Sequence, residues 1–318
     1  MNCLYSIYFA LPDFTKTGII GKIVVRLQER ILKRIFDRIM PAYFRRTANQ
    51  AGSGINSELR DEKYIVSLTS FPARIDDIWI SIETILRQSF KPDMIILWLA
   101  EEQFPDKKLP ESLRKLEKRG LTIQYCDDLR SHKKYYYAFK NYPDANIITL
   151  DDDLYYHRDV LKNVAELHRK YPGLICTNRA HKFTFRNGLL NPYRKWKFNV
   201  TDALPSHLLV QTGGAGTLYP PGSLSDQAFD KKLIRELCLH ADDLWLKAMA
   251  LKEKTLVVTN AKYNKDFLTI ASTQRVKLVT TNVFDGGNDK QFKDVCEYFS
   301  INLNSIEYAY RPKETDFK

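Results

Sequence analysis

The chain has 318 residues, of which 44% are hydrophobic, and a formal net charge of +11. That length suits one large α/β domain with an extension, or two small domains, and the apolar content is ample for a core. The five cysteines are odd in number and never spaced CxxC, which argues against a disulfide framework or a zinc site and suits a reducing cytosol, while the positive charge calls for an anionic partner: nucleic acid, anionic lipid or a phosphate-bearing substrate.

The opening MNCLYSIYFALPDF is apolar but lacks a basic leader and a small-residue cleavage site, so it does not read as a signal peptide. No stretch approaches the apolar length needed to span a bilayer. From Thr17 to Phe44 the spacing predicts a helix with the apolar stripe Ile20, Ile23, Val24, Leu27, Ile31, Ile35 and Ile39. Lys22, Arg26, Arg30, Lys33, Arg34 and Arg38 crowd its other faces, and Pro41 is expected to stop it. Ala48 to Ser57 is small and polar, as a linker would be. Residues 1–60 thus read as a basic amphipathic segment with a linker, and residues 61–318 as the main domain. Such a helix either packs on the domain or lies on an anionic membrane surface; its dense basic faces favour the membrane.

Beyond the linker, strands alternate with helices. Strands are predicted at Tyr64 to Thr69, Met94 to Leu99, Leu121 to Tyr125, Asn146 to Leu150 and Leu174 to Thr177. Helices are predicted at Ile75 to Gln88, Leu113 to Arg119, Lys133 to Lys140 and Val160 to Lys170. Met94 to Leu99 is apolar throughout, as a central parallel strand should be. This order argues for a mostly parallel, doubly wound α/β sheet flanked by helices.

Three consecutive aspartates, Asp151-Asp152-Asp153, end the apolar run NIITL. Charged groups do not stay inside a buried strand, so the triplet belongs at its carboxyl end, where open α/β sheets bind ligands. Clustered carboxylates repel one another, and a hard divalent cation such as Mg²⁺ or Mn²⁺ relieves that repulsion with oxygen ligands. The plain alternative is a solvated acidic turn. A second acidic pair, Asp242-Asp243, opens a helix running toward Lys254; it caps the helix, or one carboxylate faces a cleft as a general base. The loop QTGGAGTLYPP precedes it, and its glycines permit close approach of backbone and ligand. It is neither a nucleotide P-loop nor a dinucleotide fingerprint.

TSFPAR after the first strand, DDD after a mid-domain strand, a GG loop ending in YPP and the acidic pair in DDLWL occur in one order. Together they resemble the GT-A (Rossmann-like) glycosyltransferases, most closely the bacterial, family-2-like enzymes that build capsular and surface polysaccharide. The resemblance covers about Lys63 to Asn288. It implies a hexosyltransferase-like enzyme in which Asp151 and Asp153 form a DxD motif holding Mn²⁺ or Mg²⁺ on a nucleotide-sugar diphosphate. Asp152 touches the ribose or orders the site. Asp243 is the implied base and Asp242 its neighbour. Thr69, Ser70, Phe71 and Arg74 hold nucleoside, Lys133 and Lys134 reach the diphosphate, and Gly213 and Gly214 wall the sugar and acceptor site. The acceptor is a glycan or lipid-linked glycan, with the enzyme peripheral on the cytoplasmic face of the cell membrane and the reaction inverting.

One departure stands out. The second strand ends in Leu-Ala-Glu-Glu where many relatives have Asp-Asp-Gly-Ser, leaving nucleobase contacts there unassigned. Asn288 and Asp289 in FDGGNDKQF are expected in a plain loop. Two rival readings are a nucleotidyltransferase, which wants a basic glycine loop after strand one, and a basic nucleic-acid-binding protein. The second lacks any helix-turn-helix, RNA-recognition or zinc signature, and much of its charge sits in the first helix. The expected partners therefore exclude nucleic acid.

Overall fold

A computed structural model describes residues 8, 18–202, 204–263, 266–275 and 286–303. Cys3 and Thr17 lie outside the described residues; the other four cysteines are buried free thiols. The predicted alternation is present: β1 (Tyr64–Thr69), α2 (Ile78–Leu86), β2 (Met94–Ala100), α3 (Glu111–Glu117), β3 (Leu121–Cys126), α4 (Lys133–Asn141), β4 (Asn146–Thr149), α5 (Val160–Lys170) and β5 (Ile175–Thr177). With β11 (Thr217–Tyr219) and β12 (Val257–Thr259) they make a seven-stranded sheet ordered β12-β5-β11-β4-β1-β2-β3. Only β11 runs antiparallel to its neighbours.

The chain builds β1, β2 and β3 outward in one direction, then returns to lay β4 on the other side of β1. That reversal is a topological switch point, and the crevice outside the carboxyl ends of β1 and β4 is where such a sheet takes a ligand. Alternating side chains feed two cores. Val66, Leu68, Ile95, Leu97 and Ile148 pack with α2, α3 and α5 on one face. Ile65, Ile96, Trp98 and Ile147 pack on the other with α4, α6 (Lys231–Leu237), α7 (Asp242–Lys252) and α8 (Gly287–Tyr298).

The sequence did not reveal a second sheet. β6 (Ala180–Lys182), β9 (Lys197–Val200) and β10 (Leu209–Gln211) form three antiparallel strands ordered β10-β6-β9. Between β6 and β9, β7 (Phe185–Arg186) and β8 (Leu189–Leu190) make a hairpin. Its turn residues Asn187 and Gly188 have φ of 52° and 76°, the left-handed geometry that an Asn-Gly hairpin turn requires. These strands are too short and too mixed in polarity to show a period.

Helix α1 (Ile19–Thr47) forms where periodicity predicts it but buries a different face. Phe36, Met40 and Phe44, spaced one turn apart, enter the first core. Ile20, Ile23, Leu27, Ile31 and Ile39 stay exposed. Phe36 meets Tyr155 edge-on at 5.4 Å, and Asp37 accepts from the Tyr155 hydroxyl at 3.0 Å and the Ala271 N–H at 3.1 Å. Pro41 does not stop the helix, which runs on to Thr47, because packing by Met40 and Phe44 on either side outweighs the lost backbone bond. The expected linker is also stitched down: Gly54 N–H donates to Arg119 O at 2.8 Å and Asn56 N–H to Pro92 O at 2.7 Å. Residues 18–60 therefore dock on the α/β fold. No helix among the described residues is long and apolar enough to cross a membrane.

Candidate active site

At the carboxyl ends of β1 and β4 the chain encloses a cavity of about 520 Å³. Thr69, Ser70, Phe71, Arg74, Lys133, Lys134, Asp151, Asp152, Asp153, Asp242 and Asp243 all line it. The switch point explains the convergence. The loop after β1 delivers the first four, the turn after β4 delivers the triplet, and the α4 and α7 N-termini bring the lysines and the acidic pair.

The three aspartates have three environments. Asp152 is buried; it accepts from Ser70 Oγ at 2.5 Å and from Arg74 Nη1 at 2.6 Å, so it orders the β1 loop against the β4 turn. Arg74 also reaches Asp153 at 3.1 Å, and its guanidinium lies over the Phe71 ring at 5.4 Å. Burial opposes its charge, but Asp152 and Asp153 outweigh that and hold it cationic. Asp153 accepts from Gln274 Nε2 at 3.0 Å. Burial, then the charge of Asp152, pushes Asp153 up to about 6. Asp151 is the open member, with Oδ1 2.9 Å from Lys134 Nζ.

Lys134 joins the two acidic clusters. Its ammonium is buried and lies 2.9 Å from both Asp151 and Asp242. Burial favours the neutral amine, but Asp151, Asp242 and Asp243 together hold its pKa well above the usual value. Asp242 is buried too, yet Lys134 keeps its carboxyl below the ordinary range and ionised. Asp243 goes the other way. Burial, then the negative charge of Asp242, pushes it up to about 7, although Lys134 and a hydrogen bond from Gly213 N–H at 2.8 Å pull it down. One helix start thus carries a permanent carboxylate beside one poised to gain or lose a proton near neutrality. Neither side chain caps α7. Lys133, expected to reach a diphosphate, is buried and engaged by Asp128 at 2.5 Å.

Gly213 and Gly214 do not line this cavity; they back its carboxylates. A Cβ on Gly214 would fall 1.9 Å from Asp151 Oδ2, and one on Gly213 would fall 2.9 Å from Asp243 Oδ1. A side chain at Gly214 would therefore push the Asp151 carboxylate out of its place. Sequence reasoning missed Gln103, Arg130, Ser131, His240 and Gln274, which also line the cavity. His240 was discoverable, as it stands two residues before the acidic pair; Gln274 arrives from a distant loop with no local signal. Asn288 and Asp289, expected in a loop, lie in the first turn of α8, and Asp289 accepts from Tyr193 N–H at 2.6 Å.

The residues suit a hard divalent cation. Mg²⁺ and Mn²⁺ sites at phosphates use one or two carboxylates and fill the remaining shell with phosphate oxygens and water. Asp151 and Asp153 present such oxygens to one cavity. Among the described residues no group of three or more His, Cys, Asp or Glu side chains is placed to hold a metal, so substrate would have to complete the shell.

No protein-family model and no curated protein matches the chain. Among solved structures, the mannosyltransferase PcManGT from Pyrobaculum calidifontis in complex with GDP-Man and Mn²⁺ is 13% identical, with a TM-score of 0.45 over 90% of this chain and 77% of that one. TarS 1–349 from S. aureus in complex with UDP-GlcNAc is 13% identical, with a TM-score of 0.43 over 80% and 69%. A cytidylyltransferase from Leptospira borgpetersenii is 12% identical, with a TM-score of 0.38 over 80% of this chain and all of that one. Likenesses this distant establish no shared activity, and the chemistry is read from the site's own residues.

Proposed function

We propose that this chain is a metal-dependent glycosyltransferase of GT-A architecture that moves a sugar from a nucleotide-sugar to an acceptor hydroxyl. The observation that carries the reading is the single cavity in which Lys134 ties a phosphate-side carboxylate, Asp151, to an acid–base pair, Asp242 and Asp243. Glycosyl transfer asks for these two functions close together: positive potential where the diphosphate leaves and a base where the acceptor attacks. Arg74 and Lys134 are held cationic at the first position. Asp243 takes the hydroxyl proton at the second, and the fixed charge of Asp242 keeps its basicity high. A divalent cation held by Asp151 and Asp153 would supply Lewis-acid stabilisation of the departing diphosphate. Direct attack by the acceptor hydroxyl, with Asp243 as its base, is a single displacement, which inverts the anomeric centre.

The acceptor we assign is a glycan or lipid-linked glycan of a capsular or surface polysaccharide, reached at the cytoplasmic face of the membrane. Supporting this is α1, where exposed Ile23, Leu27 and Ile31 run beside exposed Arg26, Arg30 and Arg34. Apolar anchors flanked by cations suit an anionic lipid surface.

The test is a screen of UDP- and GDP-sugars against the full chain with Mn²⁺. At least one donor should raise the melting temperature and release nucleoside diphosphate, and chelator should abolish both effects. Pyrophosphate release from a nucleoside triphosphate would move the reading to nucleotidyl transfer. Salt-sensitive binding of DNA or RNA, with no donor bound, would move it to the nucleic-acid class.

A further inference from the structure

We infer that a second cavity, which shares Asp243 with the first, is an acceptor subsite built for the ring of a neutral sugar. This rests on the reading of Asp243 as the base and adds where the acceptor is held and by which part of it. The cavity, of about 120 Å³, is bounded by His181 on β6, Tyr193, Gln211 on β10, Thr212, Asp243 and Asn288. Asp243 lines both this cavity and the larger one, as do Asp242 and His240, so a hydroxyl here and a donor there would meet at the acidic pair.

Two of its polar side chains await partners. Gln211 is fully buried and faces the Tyr219 hydroxyl, yet its amide nitrogen and oxygen complete no hydrogen bond of normal geometry. Leaving such a group unpaired is costly, which marks it as a ligand contact. His181 is not among the unpaired groups: its Nδ1 accepts from Asn199 N–H at 3.3 Å and its ring also bonds the Ala180 backbone. Burial holds His181 neutral, down to about 3. The Tyr193 hydroxyl bonds no described residue, while Asp289 fixes its backbone.

Two of the lining side chains, His181 and Tyr193, are aromatic rings. Phe198, outside the lining, packs 4.5 Å from His181 and 5.5 Å from Tyr193 and continues that aromatic surface outward at 42% exposure. A pyranose offers an apolar C–H face to such rings and a rim of hydroxyls to neutral donors and acceptors. No Lys or Arg lines the cavity, and nearby Arg179 is engaged by Asp266 at 2.5 Å. A phosphate group would want those cations, so the site favours the sugar end of an acceptor over its lipid phosphate.

The test uses methyl glycosides of glucose, galactose, mannose and N-acetylglucosamine with the full chain, read by saturation-transfer NMR without donor. At least one glycoside should bind. Tyr193→Ala and Phe198→Ala should each weaken its Kd about tenfold, close to 1.4 kcal/mol, whereas Tyr193→Phe keeps most of the binding. Thermal melts of each variant establish that it is folded, and Phe198→Ala, at a half-open position, is the variant least exposed to folding loss. Absence of signal from every glycoside, or undiminished signal in folded Tyr193→Ala and Phe198→Ala, overturns the inference. Glycoside binding lost in the variants, with no nucleotide-sugar turned over, would uphold the subsite and sink the transferase reading instead.

Discussion

Asp243 makes a sharp claim at the scale of one side chain, because its raised pKa acts on both activity and stability. As a base it must be ionised, so kcat/KM should rise with pH through about 7. Asp243→Asn should lower kcat by about 10²–10⁴-fold, remove that limb and leave donor KM little changed. The stability effect runs the opposite way. A carboxyl whose folded pKa exceeds its unfolded value binds extra protons when folded, so its contribution is full below the unfolded pKa and is lost as pH rises through about 7. Asp243→Asn should therefore raise the melting temperature at pH 8, by an amount that shrinks toward zero near pH 4. A variant that is less stable at pH 8 would show that the carboxylate is structural.

Lys134 is its counterpart. Removing one member of a buried ion pair strands the other, at a cost of about 3–5 kcal/mol; here Asp242 is the buried partner, while Asp151 is 40% exposed and solvent-screened. Lys134→Met should destabilise by about that amount in denaturant unfolding, and Asp242→Asn in the same chain should recover part of it. Purely additive effects would mean that the two groups do not interact.

Among the elements, α1 separates two roles on two faces. Phe36→Ala should cost about 3–5 kcal/mol, since its ring is fully buried against Tyr155. Leu27→Ser, on the exposed face, should leave unfolding unchanged while weakening co-sedimentation with anionic vesicles. Equal vesicle binding by Leu27→Ser and the unaltered chain would remove the membrane role. Deleting residues up to Ser57 should fail to give a stable domain, because it uncovers the first core where Phe36, Met40 and Phe44 now lie.

The whole molecule places its site on the seam where strand order reverses, so one ligand should tighten segments far apart in the chain. Adding nucleoside diphosphate with Mn²⁺ should slow amide exchange at residues 69–74 and 149–153 together, and chelator should reverse both. Protection of one segment alone would contradict a cation and diphosphate bound between β1 and β4. The link need not be rigid; differential binding to the ordered arrangement is sufficient.

What could be read from residue order was local. The apolar run Met94 to Leu99 can only be a strand buried on both faces, and three aspartates at the end of another such run must leave the sheet. Those two facts, repeated along the chain, yielded the parallel sheet and the carboxylate cluster. Tertiary structure decided the rest, because the deciding forces act between distant segments. Helix α1 carries two apolar stripes of suitable period, and the surface offered by Trp79 and Tyr155 selects Phe36, Met40 and Phe44 over the isoleucines. The glycine pair is set by carboxylates, Asp151 and Asp243, that no neighbour in sequence announces. The opposite pKa shifts of Asp242 and Asp243, adjacent and chemically identical, come from which of them Lys134 touches. Periodicity reports burial of one element against an unspecified partner; it carries no information about which charge arrives from across the sheet.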